Sequence, residues 1–331
     1  MQMVLRRVLA AIPMLFLISL VSFTLMRALP GDPVDVMLGS AQKELPTEDL
    51  KVLREEFGLN QSPARQYLFW LSGWVKADNL ASANALGRSY RDGRPVKEVI
   101  VERIPATLTL VGIALVLSFA LGLSVGILAA FLSLQGNKRA DSALTAVLLA
   151  IYSAPNFWLA FLALAALASQ AGLALVKLPI LGLHPPGAQP TFGAEIEYLF
   201  LPAIILSTRR MAKVALYVRT LALDEIGKEY VVAALAKGLS LMSVITNHVL
   251  KNCLIPVVNL AGLSLPALIG GSVLIETIFC VPGMGRLMVE STFGRNYPVL
   301  MGLVMLYGTI VILANLLADV LNKVIDPRLE N

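Results

Sequence analysis

Charged side chains supply only 15% of these 331 residues, against roughly 25% in a soluble domain. That shortage excludes a water-facing surface over most of the chain. Hydrophobic residues make up 57%, and the mean hydropathy is +0.74. Cysteine and histidine are scarce, with two of each. Cys253 and Cys280 lie near the two ends of one apolar run. As straight helix, the segment between them would hold them roughly 40 Å apart, beyond the roughly 7 Å a disulfide can bridge. With no CxxC and the histidines far apart at 184 and 248, a metal cage built by this chain alone is not expected. His248 reads as a helix-capping or docking residue, and His184 sits in a turn with Pro185-Pro186-Gly187. Catalytic motifs are missing as a set. Gly227-Lys228 is followed by Glu229, so there is no phosphate-cradling GxxxxGK[ST] loop, and neither GxSxG nor HExxH occurs. The net charge of +5 and pI of about 9.2 do not point to nucleic acid, because no basic run is interleaved with aromatics.

What the chain does have is apolar runs long enough to cross a bilayer, which takes about 20 residues. Six are expected: Val8–Leu25, Ala106–Leu134, Leu144–Ala168, Leu199–Val218, Leu254–Phe279 and Val299–Leu321. The first follows Arg6 and Arg7 but is long, and Arg27 to Pro33 has no small-x-small cleavage pattern, so it reads as a retained anchor. Short-loop Lys and Arg concentrate on one side: Arg6, Arg7, Lys138, Arg139, the Arg219-to-Lys251 loop, Lys323 and Arg328. The other side holds Lys177, Arg286 and Arg295. Both termini are therefore expected in the cytoplasm. The long segment from Arg27 to Arg103 would lie outside despite its eleven basic residues, since long loops translocate largely regardless of charge. Within it, Thr47 predicts a helix N-cap, with Leu50, Leu53 and Phe57 on one face and Gly58 as the stop. Tyr67, Trp70, Leu71 and Trp74 follow Pro63 on one side of a second helix, as interface anchors rather than a partner site.

The fourth run is unlike the others. Arg209, Arg210 and Lys213 arrive about 15 Å along it, and a charge near the bilayer centre costs about 2.5 kcal/mol or more. Arg209 and Lys213 share a face. Two readings stay open: a basic wall on a solute path, or a tilted helix whose cations snorkel to lipid phosphates. Glu276 and Asp319 are placed near helix ends, in structural roles rather than as proton relays. Gly122 and Gly126 form a GxxxG for close helix packing. Gly270-Gly271 invites the same reading, and Pro266 predicts a kink in the fifth run.

The most ordered polar segment is Glu229-Tyr230-Val231-Val232-Ala233-Ala234-Leu235-Ala236-Lys237-Gly238. It is followed by Leu239-Ser240, by His248-Val249-Leu250-Lys251-Asn252 and by Pro256. This stretch, from Arg219 to Pro256, resembles the cytoplasmic EAA loop of the permease subunits of bacterial ABC importers. The likeness is to the first-permease type of the dipeptide, oligopeptide and nickel group. Further motifs follow in that family's order. They begin with Leu5-Arg6-Arg7 through Pro13 to Leu29-Pro30-Gly31-Asp32-Pro33, then Phe57-Gly58-Leu59 with Gln66-Tyr67. Next come Gly87-Arg88-Ser89-Tyr90, Arg94-Pro95-Val96, Ile104-Pro105-Ala106-Thr107-Leu108 and Pro155-Asn156-Phe157-Trp158-Leu159. Beyond the loop stand Glu276-Thr277-Ile278-Phe279, Pro282-Gly283-Met284-Gly285-Arg286-Leu287, Tyr297-Pro298, Asn315-Leu316, Asp319 and Asp326-Pro327-Arg328. Departures from the pattern are an insertion at Ala81 to Leu86, Asn296 where an acid is usual, Val232 and Leu235 in place of polar residues, and the cations at 209, 210 and 213.

The resemblance implies an all-α membrane protein with the six-span type I importer permease fold, a long extracytoplasmic segment and a cytoplasmic coupling helix. It implies an anchor helix over 1–29, an extracytoplasmic segment over 30–104, a permease core over 105–322 containing a coupling loop at 219–252, and a tail at 323–331. The implied role is transport, not enzymatic catalysis. The implied partners are a second homologous permease, two ATPase subunits that hold ATP and Mg, an extracytoplasmic solute-binding protein and the lipid bilayer. Glu229, Tyr230, Ala233, Ala234, Ala236, Lys237 and Gly238 are expected at the ATPase contact, and Arg209, Arg210 and Lys213 are candidates for the translocation path. The implied solute is a di- or oligopeptide, with a nickel-chelate or glutathione-type importer as the alternative of the same architecture. An ion-gradient-driven secondary transporter would show inverted repeats, and no internal repeat is present. A membrane-bound sensor or scaffold, with Arg27 to Arg103 as its ligand segment, is the remaining alternative.

Overall fold

The computed structural model describes residues 2–28, 54–55, 60–75, 87–168, 181–183, 192–262 and 264–325. The expected helix start at Thr47, the insertion at 81–86 and His184 lie outside them. Among the described residues the chain is helical, with one isolated antiparallel bridge between Arg88 and Pro95. It divides into two compact units, Met1–Ala106 with Pro282–Leu313, and Thr107–Val281 with Ala314–Asn331.

In the first unit, α1 (Gln2–Ala28) covers the first predicted span. The helix α2 (Pro63–Val75) starts on a proline that needs no intrahelical donor. The two are joined by Tyr67, which is buried, shares a 2.8 Å hydrogen bond with the Ser19 hydroxyl, and meets Phe16 and Phe23 edge-on. Tyr67 is thus a packing residue between two helices rather than a free interface anchor. Short α3 (Val96–Val101) packs Val96, Val99 and Ile100 against Met284 and Leu287 of α12 (Met284–Phe293) and against Val299 and Leu303 at the start of α13 (Tyr297–Ile325). Asn296 sits buried at that junction. Its Oδ1 accepts from the Tyr90 backbone N–H at 3.0 Å and its Nδ2 donates to Ser89 Oγ at 2.9 Å. A neutral amide can accept and donate at once, which a carboxylate cannot.

The second unit holds α4 (Ile104–Leu134) from Thr107 onward, α5 (Lys138–Ser153), α6 (Asn156–Ala168) and the 35-residue α7 (Phe192–Ile226). These are followed by α8 (Glu229–Ala236), α9 (Leu241–Val244), a π-turn over Ile245–Val249, α10 (Leu250–Gly262) and α11 (Leu265–Ile278). The GxxxG expectation holds. A Cβ on Gly122 would lie 2.7 Å from Val214 Cβ, and one on Gly126 would lie 2.7 Å from the Ala215 carbonyl and from Val218 Cβ, so α4 and α7 touch backbone to backbone. Gly270 is different, with nothing within 4 Å of its would-be Cβ.

Two predicted spans are corrected. The third, expected as one helix, breaks between α5 and α6 with a 100° bend. Ala154 has ψ 131°, the extended conformation forced on a residue before proline, here Pro155. The fifth breaks between α10 and α11 with a 56° bend. Pro266 does not kink a continuous helix there; it sits in the first turn of α11. The premise of a straight helix between the cysteines therefore falls, although both remain free thiols. Among the described residues three helical stretches are long and apolar enough to cross a membrane: Leu9–Ala28, Val96–Leu134 and Tyr297–Val320. The number rises to five if each bent pair is one span. The remaining predicted span lies within α7, which is continuous, but its cations interrupt the apolar run.

Candidate coupling and translocation sites

The eight-residue α8 is too short to be stable alone, and what holds it is visible at both ends and on its inner face. Lys228 precedes it in extended conformation, and Gly238 follows at φ +85°, where side chains are strained. Val231 and Ala234 are buried among Ala130, Ala222, Val249 and Cys253. Ala234, expected at the ATPase contact, thus faces the protein's own core. Glu229, Ala233, Ala236 and Lys237 are exposed, as are Val232 (59%) and Leu235 (38%). The outer surface of α8 is therefore mostly apolar. Val232 and Leu235, noted in the sequence only as departures, are its largest outward aliphatic groups.

Tyr230 reaches inward at its hydroxyl. It donates to Glu225 Oε2 at 2.6 Å, while Asn252 Nδ2 donates to Tyr230 Oη at 3.0 Å and to the same carboxylate oxygen at 3.4 Å. Lys228 pairs with Glu225 Oε1. One carboxylate at the end of α7 thereby joins α8 to α10. Burial pushes the Glu225 carboxyl up, but the donors from Lys228, Tyr230 and Asn252 outweigh it and hold the group below its ordinary value. Burial and the bond to Glu225 raise the Tyr230 phenol. Glu225 and Asn252 were not among the predicted residues. A second tie lies nearby, where Arg219 Nε and Nη2 bind Asp141 Oδ1 and Oδ2 at 2.8 and 2.6 Å, fastening α7 to the start of α5. Such bidentate pairs fix direction as well as distance.

Along α7 the uncovered positions from the helix centre onward are Arg209, Lys213, Tyr217, Thr220 and Asp224. Steps of three and four residues put them on one face, and every one is polar. The residues between them are buried or partly covered; Ala212, Val214, Ala215 and Val218 have no exposure at all. The Arg209 guanidinium lies 5.4 Å from the centre of the Tyr152 ring, near the end of α5, as in a cation–π contact. Arg210 is turned partly inward, while Lys213 is exposed. Tyr152, Tyr217 and Thr220 were not singled out in the sequence, although the spacing of the last two from Lys213 was available there.

Glu276 lies near the end of α11, as expected, and is fully buried there; its Oε1 accepts from Thr107 Oγ1 at 2.8 Å and Ser272 Oγ at 2.9 Å. The carboxyl thus ties the start of α4 to α11. Asp319 is partly covered, and His248 lies exposed in the π-turn.

The sequence family described as "Binding-protein-dependent transport system inner membrane component" matches residues 122–331, and its N-terminal companion matches residues 1–111. The chain is 35% identical over 334 residues to the oligopeptide transport system permease protein AppB of Bacillus subtilis (strain 168), covering 99% of this chain and 98% of the relative. It is 33% identical over 347 residues to the dipeptide transport system permease protein DppB of Escherichia coli (strain K12), covering 100% and 99%. Among solved structures, a chain from inward-facing MetNI methionine ABC transporter crystals matches with a TM-score of 0.57 at 19% identity. That match covers 70% of this chain and 98% of the other. At that identity the likeness is one of fold.

Proposed function

The chain belongs to the family of binding-protein-dependent transport system inner membrane components and is a permease subunit of such an ABC importer, and from that premise we propose that its solute is a di- or oligopeptide. The names of the two full-length relatives support this solute class. In this reading six spans cross the membrane, with α7 as the fourth. Residues 30–104 lie outside, and both termini and the loop 219–252 lie in the cytoplasm. A second, homologous permease completes the path. Two ATPase subunits hold ATP and Mg, and an extracytoplasmic binding protein delivers the solute. Arg209, Arg210 and Lys213 line the path.

The outer face of α8, with Glu229, Val232, Ala233, Leu235, Ala236 and Lys237, seats in a cleft of the ATPase subunit. Closure of the ATPases then displaces α8. The Glu225–Tyr230–Asn252 network passes that displacement to α7 and α10 as a rigid-body movement. The observation that carries this reading is that network, because a short exposed helix bonded to the ends of two long ones is built to transmit force rather than merely to connect.

The test is Gly238→Asp. A side chain at this φ costs roughly 1–2 kcal/mol, and a negative charge at a helix C-terminus opposes the macrodipole. Uptake is expected to fall about tenfold or more, as a lost 1.4 kcal/mol of attachment implies, with reduced co-purification of the ATPase subunits. Normal uptake and normal co-purification would sink the coupling assignment.

A further inference from the structure

Three cations stand together at the middle of α7, and none of them forms an ion pair with a carboxylate among the described residues. Arg209 is nine residues short of Val218, the end of the predicted span, which is about 13 Å of helix. That is further than an arginine can snorkel when its guanidinium is already held sideways against Tyr152. Below it, the same face continues through Lys213, Tyr217, Thr220 and Asp224 with no exposed apolar residue. Water can follow such a stripe; hydrocarbon would not. An unneutralised pair of cations on a wetted face attracts a mobile anion.

We propose that Arg209 and Lys213, with Arg210 beside them, form a carboxylate-recognition site that favours solutes bearing a side-chain carboxylate. The inference rests on the reading of α7 as path-lining and adds the chemistry of what is recognised there. The Arg209 guanidinium, 5.4 Å from the centre of the Tyr152 ring, carries a planar fork of N–H donors that matches the two oxygens of a carboxylate. Lys213, one turn nearer the end of α7, supplies a point charge to which the same group can pass. Binding of this kind is strong enough to select and weak enough to release, because the face is hydrated.

Two measurements on the full importer test this. In vesicles, Lys213→Cys should react about tenfold faster with an anionic methanethiosulfonate than with a cationic one, above the background of Cys253 and Cys280, and Arg209→Gln should erase the preference. No reaction, or equal rates, would overturn the proposal. So would a preference that appears only when anionic lipid is omitted, because the cations would then serve lipid phosphate. In uptake, three peptides differing only in Glu, Gln or Lys at one position are compared after each is shown to bind the binding protein. Arg209→Gln should lower uptake of the Glu peptide about tenfold relative to the Lys peptide, with Arg209→Lys restoring part of the difference. An equal fall for all three assigns Arg209 to packing and overturns the selection. Failure of the wild-type importer to take up any peptide would overturn the peptide assignment alone, since the thiol rates require no knowledge of the solute.

Discussion

Of the helices that leave a face uncovered, α1 and α7 have faces that are opposites. On α1 the exposed side chains between residues 9 and 25 include Leu9, Ile12, Phe16, Leu17, Val21 and Leu25, and the one exposed hydroxyl, Thr24, turns back to the Leu20 carbonyl. On α7 from residue 209 onward the exposed side chains are all polar. The α1 face suits hydrocarbon, and the α7 face suits water. Mean hydropathy cannot separate them, because a membrane helix is defined by where its polar groups point as much as by how many it has.

The comparison depends on α7 keeping its inner face pressed against α4, so the largest effect is expected from breaking that contact. Gly126→Leu would drive a side chain into the Ala215 carbonyl and Val218. A loss of about 3 kcal/mol or more is expected, read as a collapse in the yield and thermal midpoint of purified protein. Gly270→Ala, with open space around it, should leave both unchanged.

A direct contrast comes next. Leu17→Lys places a charge on the α1 face and should cost about 2.5 kcal/mol of insertion, whereas Tyr217→Lys on the α7 face should stay within about 0.5 kcal/mol, as exposed substitutions do. Insertion assays and thermal midpoints in lipid nanodiscs measure both. Equal costs would mean that the two faces meet the same medium.

Tyr230→Phe sharpens the comparison at the Ile226 end of α7. It removes one hydrogen bond to a carboxylate, worth about 1.5 kcal/mol or more, without touching the outer face of α8. The ratio of uptake to ATP hydrolysed should drop several-fold while the ATPase subunits still co-purify.

The smallest effect concerns pH. Because the Glu225 carboxyl is held below its ordinary 4.5, its contribution is complete above that value and is lost as pH falls through the lowered one. Because the Tyr230 phenol is raised above its ordinary 10.0, its contribution is complete below that value and is lost as pH rises through the raised one. The uptake-to-hydrolysis ratio should therefore be flat from about pH 6 to pH 9 as far as this network is concerned. A steep change that Glu225→Gln abolishes would show that the network titrates where it should not.

The helices, short α8 included, and the family were legible in the sequence because both are written locally, in apolar run length and in the order of motifs. The breaks at Pro155 and before Pro266 were not, since an apolar run reports burial or lipid and carries no direction. The packed side of α8 was not legible, because all its alanines look alike until Val231 and Ala234 are seen buried together. Glu225 and Asn252 meet across 27 residues, a pairing that only the folding back of α10 creates. The stripe on α7 was partly legible. Arg209 and Lys213 were paired by spacing, and the same steps lead on to Tyr217, Thr220 and Asp224.

Arg209 is the central residue of α7, which runs from Phe192 to Ile226 without a break. A continuous helix of that length is a bar about 52 Å long. If it rocks about its middle, a tilt of about 10° carries its two ends roughly 4–5 Å in opposite directions, while the residue at the fulcrum hardly travels. The arginine would then stay level with its cargo as the opening beside it passes from one side of the membrane to the other.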